Sequence, residues 1–251
     1  MIKVCVAGCG GRMGKAIIEY IKTGGEAVIA GLLESASSSL LGTRVEGVEI
    51  TSEIEKAVKK SDIIIDFTTP AATLSHIAAI AMPAVIGTTG FSDEDKKKIQ
   101  KYSVKNPVVF SPNMSRGVNV LFCLVKKATS GLPEYDIEIV EAHHNKKKDS
   151  PSGTAKRITS VINEIRQLSP VYGRVGNVGA RKKDELGIHA VRAGDIVGEH
   201  NVIFAGAGEC LEISHRAYSR DCFAAGAVEA AKWLVGKPAG LYGMNDVLGI
   251  D

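Results

Sequence analysis

Short apolar runs alternate with helical patterns through the first half of the chain. The runs at 2–7, 27–33, 62–67, 84–87 and 107–111 predict buried strands. Segments with helical spacing or helix-start signals lie between them, among them residues 13–22 and 93–102. Because strands that alternate with helices at this spacing form βαβ units, the pattern predicts an α/β domain with a parallel, Rossmann-type sheet.

The pattern changes after about residue 115. In "YDIEIVEAH" apolar and acidic residues alternate as on a half-exposed strand, and three later segments between 187 and 217 also have strand character. We expect an α+β domain with a mostly antiparallel sheet over 115–216. The Ala-rich helix predicted near 220–235 returns to the first domain, which therefore comprises 1–114 and 217–251.

Composition narrows the class of protein. The 251 residues are 45% hydrophobic and 24% charged, which is typical of a soluble globular protein, and the net charge of +3 is too small to indicate nucleic-acid binding. No apolar run approaches the ~20 residues of a membrane span, and the N-terminus lacks signal-peptide features. The five scattered cysteines favour free thiols, and we expect a cytoplasmic protein.

A glycine-rich loop lies between the first predicted strand and helix. "VCVAGCGGRMGKAI" places Gly8, Gly10, Gly11 and Gly14 where glycine permits a tight turn and lets the backbone approach a pyrophosphate. Met13 occupies the third glycine position of GxGxxG, whereas GxxGxxG fits fully. The position of the loop within an alternating half-chain predicts dinucleotide binding at the start of the helix.

Glu34, at the end of the second predicted strand, bears on the choice of dinucleotide. Its carboxylate can accept hydrogen bonds from the adenosine ribose hydroxyls. An arginine directly after it would favour a 2′-phosphate, but the next residue is Ser35. Arg12 could still meet such a phosphate. NADH and NADPH therefore both remain open, with a slight preference for NADH.

Two further loops follow predicted parallel strands and belong to the same edge of the sheet. "IGTTGF" brings Gly87, Thr88 and Thr89 towards the nicotinamide, and "FSPNMSRG" forms a turn-rich exit from the first domain. Ligands of open α/β sheets bind beyond the carboxyl ends of the strands. Both loops are therefore candidate cofactor contacts.

The segment "AHHNKKKDSPSGT" carries the most concentrated chemistry. Ser152 is a plausible helix N-cap, so the backbone N–H groups of Gly153 and Thr154 can receive a carboxylate or phosphate. The preceding strand delivers His143 and His144 to its end. Zinc is disfavoured, since adjacent histidines project to opposite sides of a strand and no further ligands lie nearby. A nucleic-acid patch is disfavoured by the 5% aromatic content. A solvated lysine loop and an acid/base site for a carboxylate substrate remain, and we favour the latter.

These segments together carry a resemblance to a known family. "VAGCGGRMG", "DFTTP", "IGTTGF", "SPNMSRGVN", "EAHHNKKKDSPSGTA", "RAGDIVGEH" and "SHRAYSRDCFAAGA" recur in family order over nearly the whole chain. On them the chain resembles the 4-hydroxy-tetrahydrodipicolinate reductase (dihydrodipicolinate reductase) family.

The resemblance implies specific roles. It identifies His143 and Lys147 as catalytic, and His144, Gly153 and Thr154 as substrate contacts. It gives no secure role to Arg220, or to Lys146 and Lys148, which flank Lys147. The implied cofactor contacts are Gly8, Cys9, Gly10, Gly11, Arg12, Met13, Glu34, Gly87, Thr88, Thr89, Ser111, Pro112, Asn113 and Met114.

The implied reaction is the NAD(P)H-dependent reduction of a cyclic dicarboxylate, 4-hydroxy-tetrahydrodipicolinate, with loss of water, in lysine and diaminopimelate synthesis. No metal, nucleic acid or membrane is implied, and the 115–216 domain is expected to bind substrate and form a homotetramer. Two alternatives stay open: another two-domain nicotinamide dehydrogenase, of the aspartate or homoserine type, and a non-catalytic NAD(H)-binding redox sensor.

Overall fold

The structure, a computed structural model, describes residues 1–250. Its strands are β1 (Ile2–Ala7), β2 (Ala27–Leu33), β3 (Arg44–Val45), β4 (Val48–Thr51), β5 (Ile63–Asp66), β6 (Ala84–Ile86), β7 (Pro107–Phe110), β8 (Asp136–His143), β9 (Ser169–Tyr172), β10 (Glu185–Arg192), β11 (Gly198–Gly206), β12 (Glu209–Ala217) and β13 (Gly240–Tyr242). Its helices are α1 (Arg12–Gly24), α2 (Ile54–Val58), α3 (Pro70–Ala79), α4 (Asp93–Ser103), α5 (Arg116–Gly131), α6 (Gly153–Asn163), α7 (Asp221–Leu234) and α8 (Met244–Leu248).

The chain divides into two units, of which unit 1 contains Met1–Arg116 and Arg220–Ile250. Its sheet has the strand order β13-β7-β6-β5-β1-β2-β4-β3. The pairings from β13 to β4 are parallel, and β3 joins β4 as a short antiparallel hairpin. Because these strands are parallel, their carboxyl ends and the loops that follow them lie along one edge of the sheet.

Apolar residues cover both faces of this sheet. On one face α1, α7 and α8 pack on side chains such as Val4, Val6 and Ile65. On the other, α2, α3 and α4 pack on side chains that include Cys5 and Ile64. Burial on both faces explains why these strands are apolar runs rather than alternating sequences.

Two glycines of the first loop have steric reasons to be glycine. Gly8 has a φ of 74°, which lies in the left-handed region. A Cβ atom at Gly14 would lie 2.1 Å from the carbonyl oxygen of Gly8, so only glycine lets α1 pack this closely on the loop.

Unit 2 comprises Gly117–Ser219 and contains a five-stranded sheet in the order β12-β11-β8-β10-β9. β11 pairs antiparallel with both β12 and β8, whereas β10 pairs parallel with β8 and β9. Helices α5 and α6 pack on one face of this sheet, where Val125 and Ile158 meet Ile139 and Phe204 in a separate core.

The predicted fold class is confirmed: a parallel Rossmann-type sheet and a second sheet whose longest ladder, β11 with β12, is antiparallel. The short strands β3, β4, β9 and β13 were not anticipated, because none of these segments of two to four residues stands out in the sequence as an apolar run. No helix within residues 1–250 has both the length and the apolar character needed to cross a membrane.

Candidate active site

In unit 1 a cavity of about 420 Å³ opens at the carboxyl edge of the parallel sheet. Loops that follow several strands contribute to it, together with the start of α1 and one side chain of α7. Its lining residues are Gly11, Arg12, Met13, Phe67, Thr68, Gly87, Thr88, Thr89, Pro112, Asn113, Met114 and Phe223.

The start of α1 has the features of a phosphate receptor. Its N-cap is Gly11, no side chain caps it, and its first turn contains no acidic residue. The N-terminal N–H groups and the positive end of the helix dipole therefore face a cavity without a negative side chain at the helix start. These residues fit the pyrophosphate of a dinucleotide.

Glu34 is held beside the glycine loop. One carboxylate oxygen, Oε2, accepts a hydrogen bond from Gly10 N at 2.8 Å, and Oε1 accepts one from Ser35 N at 3.0 Å. A Cβ atom at Gly10 would lie 2.9 Å from Oε2, so glycine is required for this approach. The carboxylate thus stands at the end of β2, where a ribose would meet it.

A buried carboxylate, Asp66, organises the loops around the cavity. Asp66 is the last residue of β5 and is 1% exposed. Its Oδ1 atom accepts from Thr68 Oγ1 at 2.6 Å and from Thr73 Oγ1 at 3.0 Å, while Oδ2 lies 2.7 Å from His76 Nδ1. Thr88 Oγ1 in turn lies 2.9 Å from Thr73 Oγ1. Since Thr68 and Thr88 line the cavity, Asp66 fixes two of its walls.

Nine of the fourteen predicted cofactor residues line the cavity. The other five do not line it. Gly8 has a positive φ and turns the chain, and the N–H of Gly10 donates to Glu34. Cys9 is buried, and Ser111 Oγ donates to Asn113 O at 2.8 Å. The sequence reasoning missed Asp66, Thr73 and His76. An aspartate that ends the apolar run "DIIIDF" is a signal that could have identified the first.

In unit 2 strand β8 presents its odd-numbered residues to one buried face. Ile137, Ile139 and Glu141 are each 0% exposed, and His143 ends the series on the same face. A glutamate at an inward position of such an alternation is unusual, since carboxylates are seldom fully buried unless they are paired.

Glu141 is paired on all sides. Arg192 forms a bidentate contact with its carboxylate, in which Nη1 donates to Oε2 at 2.8 Å and Nη2 donates to Oε1 at 2.7 Å. His143 Nδ1 lies 2.6 Å from Oε2, and Ser152 N donates to Oε1 at 3.0 Å. One carboxylate therefore joins the ends of β8 and β10 to the N-terminus of α6.

These contacts set the protonation of the pair. Burial alone would raise the pKa of Glu141, but hydrogen bonds from Arg192, His143 and Ser152 outweigh it and lower that pKa. Burial lowers the pKa of His143, opposed by the Glu141 carboxylate and assisted by Lys147 and Arg192. Glu141 is therefore ionised and His143 is neutral near pH 7.

Lys147 differs from the lysines beside it. Its Nζ atom lies 2.8 Å from Asp149 Oδ1, and its side chain is 20% exposed. Its backbone N–H donates to His144 O at 3.1 Å, which closes a turn after β8. Lys146 and Lys148 are exposed. The turn therefore places Lys147 alone of the three in the neighbourhood of His143.

The N-terminus of α6 is capped as predicted. Ser152 Oγ accepts from Ala155 N at 3.2 Å and lies 3.0 Å from His200 Nε2. Burial and then the nearby charge of His143 lower the pKa of His200 to about 3, so that it is neutral. Beyond its own chain neighbours and helix backbone, Gly153 has open space where a Cβ would stand.

His144 is half-buried in the same turn, and its Nδ1 atom is buried without a hydrogen-bond partner. Arg220 is the exposed N-cap residue of α7 in unit 1.

The candidate site in unit 2 is held together by Glu141, Arg192, Ser152 and His200. Of these four residues only Ser152 was singled out from the sequence. Within residues 1–250 no cluster of His, Cys, Asp or Glu side chains could hold a metal ion.

Comparison with known proteins identifies the family of the chain. The family model described as dihydrodipicolinate reductase, N-terminus, matches residues 2–114, and the one described as dihydrodipicolinate reductase, C-terminus, matches 117–248. The chain belongs to the dihydrodipicolinate reductase family. As expected from its motifs, it is an oxidoreductase that uses a nicotinamide cofactor.

Relatives in this family align along the full chain. The 4-hydroxy-tetrahydrodipicolinate reductase of Syntrophotalea carbinolica is 46% identical over 266 aligned positions, covering 100% of both proteins. That of Nitrosomonas europaea is 47% identical, covering 99% of this chain and 98% of the relative. A dihydrodipicolinate reductase from Paenisporosarcina sp. TG-14, solved with dipicolinate bound, superposes with a TM-score of 0.81 at 26% identity, over 98% of this chain and 99% of that one.

One of the alternative functions shares the fold with this family. Aspartate dehydrogenase from Thermotoga maritima superposes with a TM-score of 0.52 at 16% identity, over 94% of this chain and 98% of that one. This likeness shows the fold alone, whereas the two family models together match almost every residue.

Proposed function

We propose that the chain reduces 4-hydroxy-tetrahydrodipicolinate to tetrahydrodipicolinate with NADH or NADPH, in lysine and diaminopimelate synthesis. One hydride and one proton are added, and one water leaves. The observation that carries the proposal is the arrangement in unit 2: His143, Lys147 and the N-terminus of α6 surround the ends of β8 and β10. The substrate named for the relatives is a dicarboxylate, which this cationic, donor-rich region suits.

Gly153 and Thr154 would receive one carboxylate through their backbone N–H groups at the start of α6. Ser152, held by Glu141 and His200, fixes the direction of those groups. Lys147 would meet the substrate in exchange for its exposed partner Asp149, and His144 would complete the contact. The substrate would thus be oriented by a helix end and a cation on neighbouring segments.

The proton is assigned to Lys147 and His143. The nicotinamide, when bound, supplies the hydride. His143 is neutral near pH 7 and directs its Nδ1 atom to Glu141, so it can accept or relay a proton at Nε2. Lys147 brings an ammonium group near enough to lower the pKa of His143. The lysine is therefore the initial proton donor, with the histidine positioned to exchange protons with the reacting ring.

Unit 1 would hold the cofactor through the fourteen residues predicted from the sequence. The start of α1 suits the pyrophosphate, Glu34 the adenosine ribose, and the walls at Thr88 and Thr89 the nicotinamide. We propose a modest preference for NADH, because the Glu34 carboxylate repels a 2′-phosphate and Ser35 offers no positive charge. The ratio of kcat/KM for NADH and NADPH tests this preference, and a higher value for NADPH would contradict it.

The reaction is tested with substrate made from pyruvate and aspartate semialdehyde. Lys147→Ala should lower kcat by roughly 100-fold or more through loss of the proton donor. Lys146→Ala and Lys148→Ala are matched controls, since their exposed charges should change the rate by only about 2-fold. Oxidation of NADH with aspartate semialdehyde alone, or with oxaloacetate and ammonia, but not with this substrate, would refute the assignment in favour of another dehydrogenase. Binding of NADH without any turnover would favour the redox sensor.

We further propose that the protein acts in the cytoplasm as a homotetramer. The five cysteines are free thiols, which suits a reducing compartment. Light scattering on the purified protein tests the assembly, for which a mass near 26.5 kDa would indicate a monomer instead.

A further inference from the structure

The fully buried Glu141 has no obvious role in transferring a hydride or a proton to substrate. It contacts Arg192, His143 and Ser152 with both carboxylate oxygens, and its side chain is 0% exposed. Substrate has no access to it. Any part it plays in the reaction must act through the groups that it holds.

The contact with His143 determines which ring nitrogen is available. A carboxylate oxygen 2.6 Å from Nδ1 accepts a hydrogen bond from the proton on that nitrogen, whether the imidazole is neutral or charged. Protons then enter and leave the ring at Nε2. Glycine at position 198 leaves space beside His143 Nε2, because a Cβ atom at Gly198 would lie only 3.2 Å from Nε2.

A second chain of contacts runs from Glu141 to Lys147. Arg192 Nη2, which binds Glu141 Oε1, also donates to the carbonyl oxygen of Asp149 at 2.8 Å. The side chain of Asp149 pairs with Lys147. The end of β10 also supports the turn after β8, because Ala193 N donates to His143 O at 2.9 Å.

We propose that Glu141 is the positioning residue of the reduction: it fixes the tautomer of His143 and, with Arg192, the segment that carries Lys147 and the start of α6. The inference rests on the proposed roles of His143 and Lys147. A neutral, isosteric replacement such as Glu141→Gln would let an amide N–H face Nδ1, which reverses the tautomer and places the ring proton on Nε2.

Glu141 also influences where His143 titrates. The titratable and charged groups around this ring are Glu141 on its own strand, Lys147 in the following turn, Arg192 on β10 and His200 on β11. Among them only Glu141 raises the pKa of His143. Glu141→Gln should therefore move that pKa to lower pH.

The test compares Glu141→Gln with Glu138→Gln, the same change on the same strand. Glu138 lies on the opposite face of β8 and is also gripped by cations, Arg174 and Arg181, but does not contact His143. We expect kcat to fall roughly 100-fold or more in Glu141→Gln, by analogy with the loss of a carboxylate that orients a histidine, while KM for NADH is unchanged. Glu138→Gln should keep a kcat close to that of the unaltered protein even if it is less stable.

Two further measurements separate positioning from general damage. Nitrogen-15 NMR of the histidines should show His143 protonated at Nδ1 in the unaltered protein and at Nε2 in Glu141→Gln. Glu141→Asp keeps the charge but shortens the side chain, so it should fold, retain the Nδ1 tautomer and recover part of the lost kcat. If Glu141→Gln does not fold, this variant and the spectrum of the unaltered protein still decide the matter.

An Nε2 tautomer in the unaltered protein, or a folded Glu141→Gln with more than about half the original kcat, would overturn the proposal. Failure of the proposed function has a different signature. In that case the unaltered enzyme does not turn over the dicarboxylate, or His143→Gln has no effect on rate, while the NMR spectra still report whether Glu141 sets the tautomer.

Discussion

Two buried carboxylates stand near the carboxyl ends of strands in the two units, and they are satisfied in different ways. Asp66 in unit 1 is held by the hydroxyls of Thr68 and Thr73 and by His76. Glu141 in unit 2 is held by a two-pronged contact with Arg192, by His143 and by a backbone N–H. Both are 0–1% exposed.

The difference fits what each unit is proposed to bind. Hydroxyl donors shape the walls of the unit 1 cavity without adding positive charge, which suits the uncharged nicotinamide predicted to lie there. For the proposed dicarboxylate substrate unit 2 would supply cations, and its partly exposed Arg192 is paired with the buried Glu141. The glutamate thus holds a cation at the site, and it also accepts the hydrogen bond from His143 Nδ1.

The largest difference between the two clusters should appear in stability. Arg192→Met removes the cation and leaves Glu141 ionised and buried, so we expect the free energy of unfolding to fall by about 3–5 kcal/mol. Urea unfolding measures it. Arg157→Met, which breaks an exposed pair with Glu164 on α6, is the matched control and should change stability by less than about 1 kcal/mol. Equal effects of the two variants would show that burial does not distinguish these pairs.

The hydroxyl cluster should be less sensitive. Thr73→Val keeps the shape but removes one donor to Asp66, for which we expect a loss of about 1.5–3 kcal/mol in urea unfolding. Because Thr88 contacts Thr73 and lines the cavity, KM for NADH should rise while KM for the dicarboxylate does not. Thr129→Val is the control: Thr129 is as buried, but its hydroxyl binds only the carbonyl of Val125. A KM for NADH that moves equally in both variants would exclude a specific link to the cavity.

Acid should destabilise the protein through the histidines of unit 2. The pKa of His200 is about 3 in the folded state, below the ordinary value of 6.5, so protonation favours the unfolded chain. The stabilisation from neutral His200 is complete above pH 6.5 and is lost as the pH falls towards 3, by at most about 1.4 kcal/mol per pH unit. His143 and His215 also have lowered pKa values and add to the slope. His200→Gln should reduce the slope of unfolding free energy between pH 6.5 and 5; an unchanged slope would contradict the assignment.

The smallest effect is expected from the exposed carboxylate of the same site. Asp149→Asn removes the partner of Lys147, but Asp149 is 55% exposed, so stability should change by less than about 1 kcal/mol. Differential scanning calorimetry of Asp149→Asn and of Arg192→Met measures the difference between their stabilities. A loss as large as that of Arg192→Met would mean that the turn depends on the ion pair rather than on Glu141.

Local signals in the sequence were sufficient for the glycine loop, for strands β1, β2, β5, β6 and β7 of unit 1 and for the Ser152 cap. Each depends on residues within a few positions of one another. Glu141 and Arg192 were not found, because they are 51 residues apart and meet only through the parallel register of β8 with β10, in which Arg192 stands opposite His143. His200 stands opposite Glu141 across the antiparallel pairing with β11. Nothing in the spacing of these residues along the chain fixes either register.

Unit 1 is completed by the last part of the chain, and this affects its synthesis. Helix α7 contributes Ala224, Ala227 and Val228 to the core on the face that α1 also covers, and β13 extends the sheet beside β7. A ribosome that has made residues 1–116 has made neither element. The part of that face beneath α7 and α8 therefore stays uncovered until all of unit 2 has been translated. Apolar side chains exposed during synthesis favour aggregation, so the order of the chain delays the completion of this core.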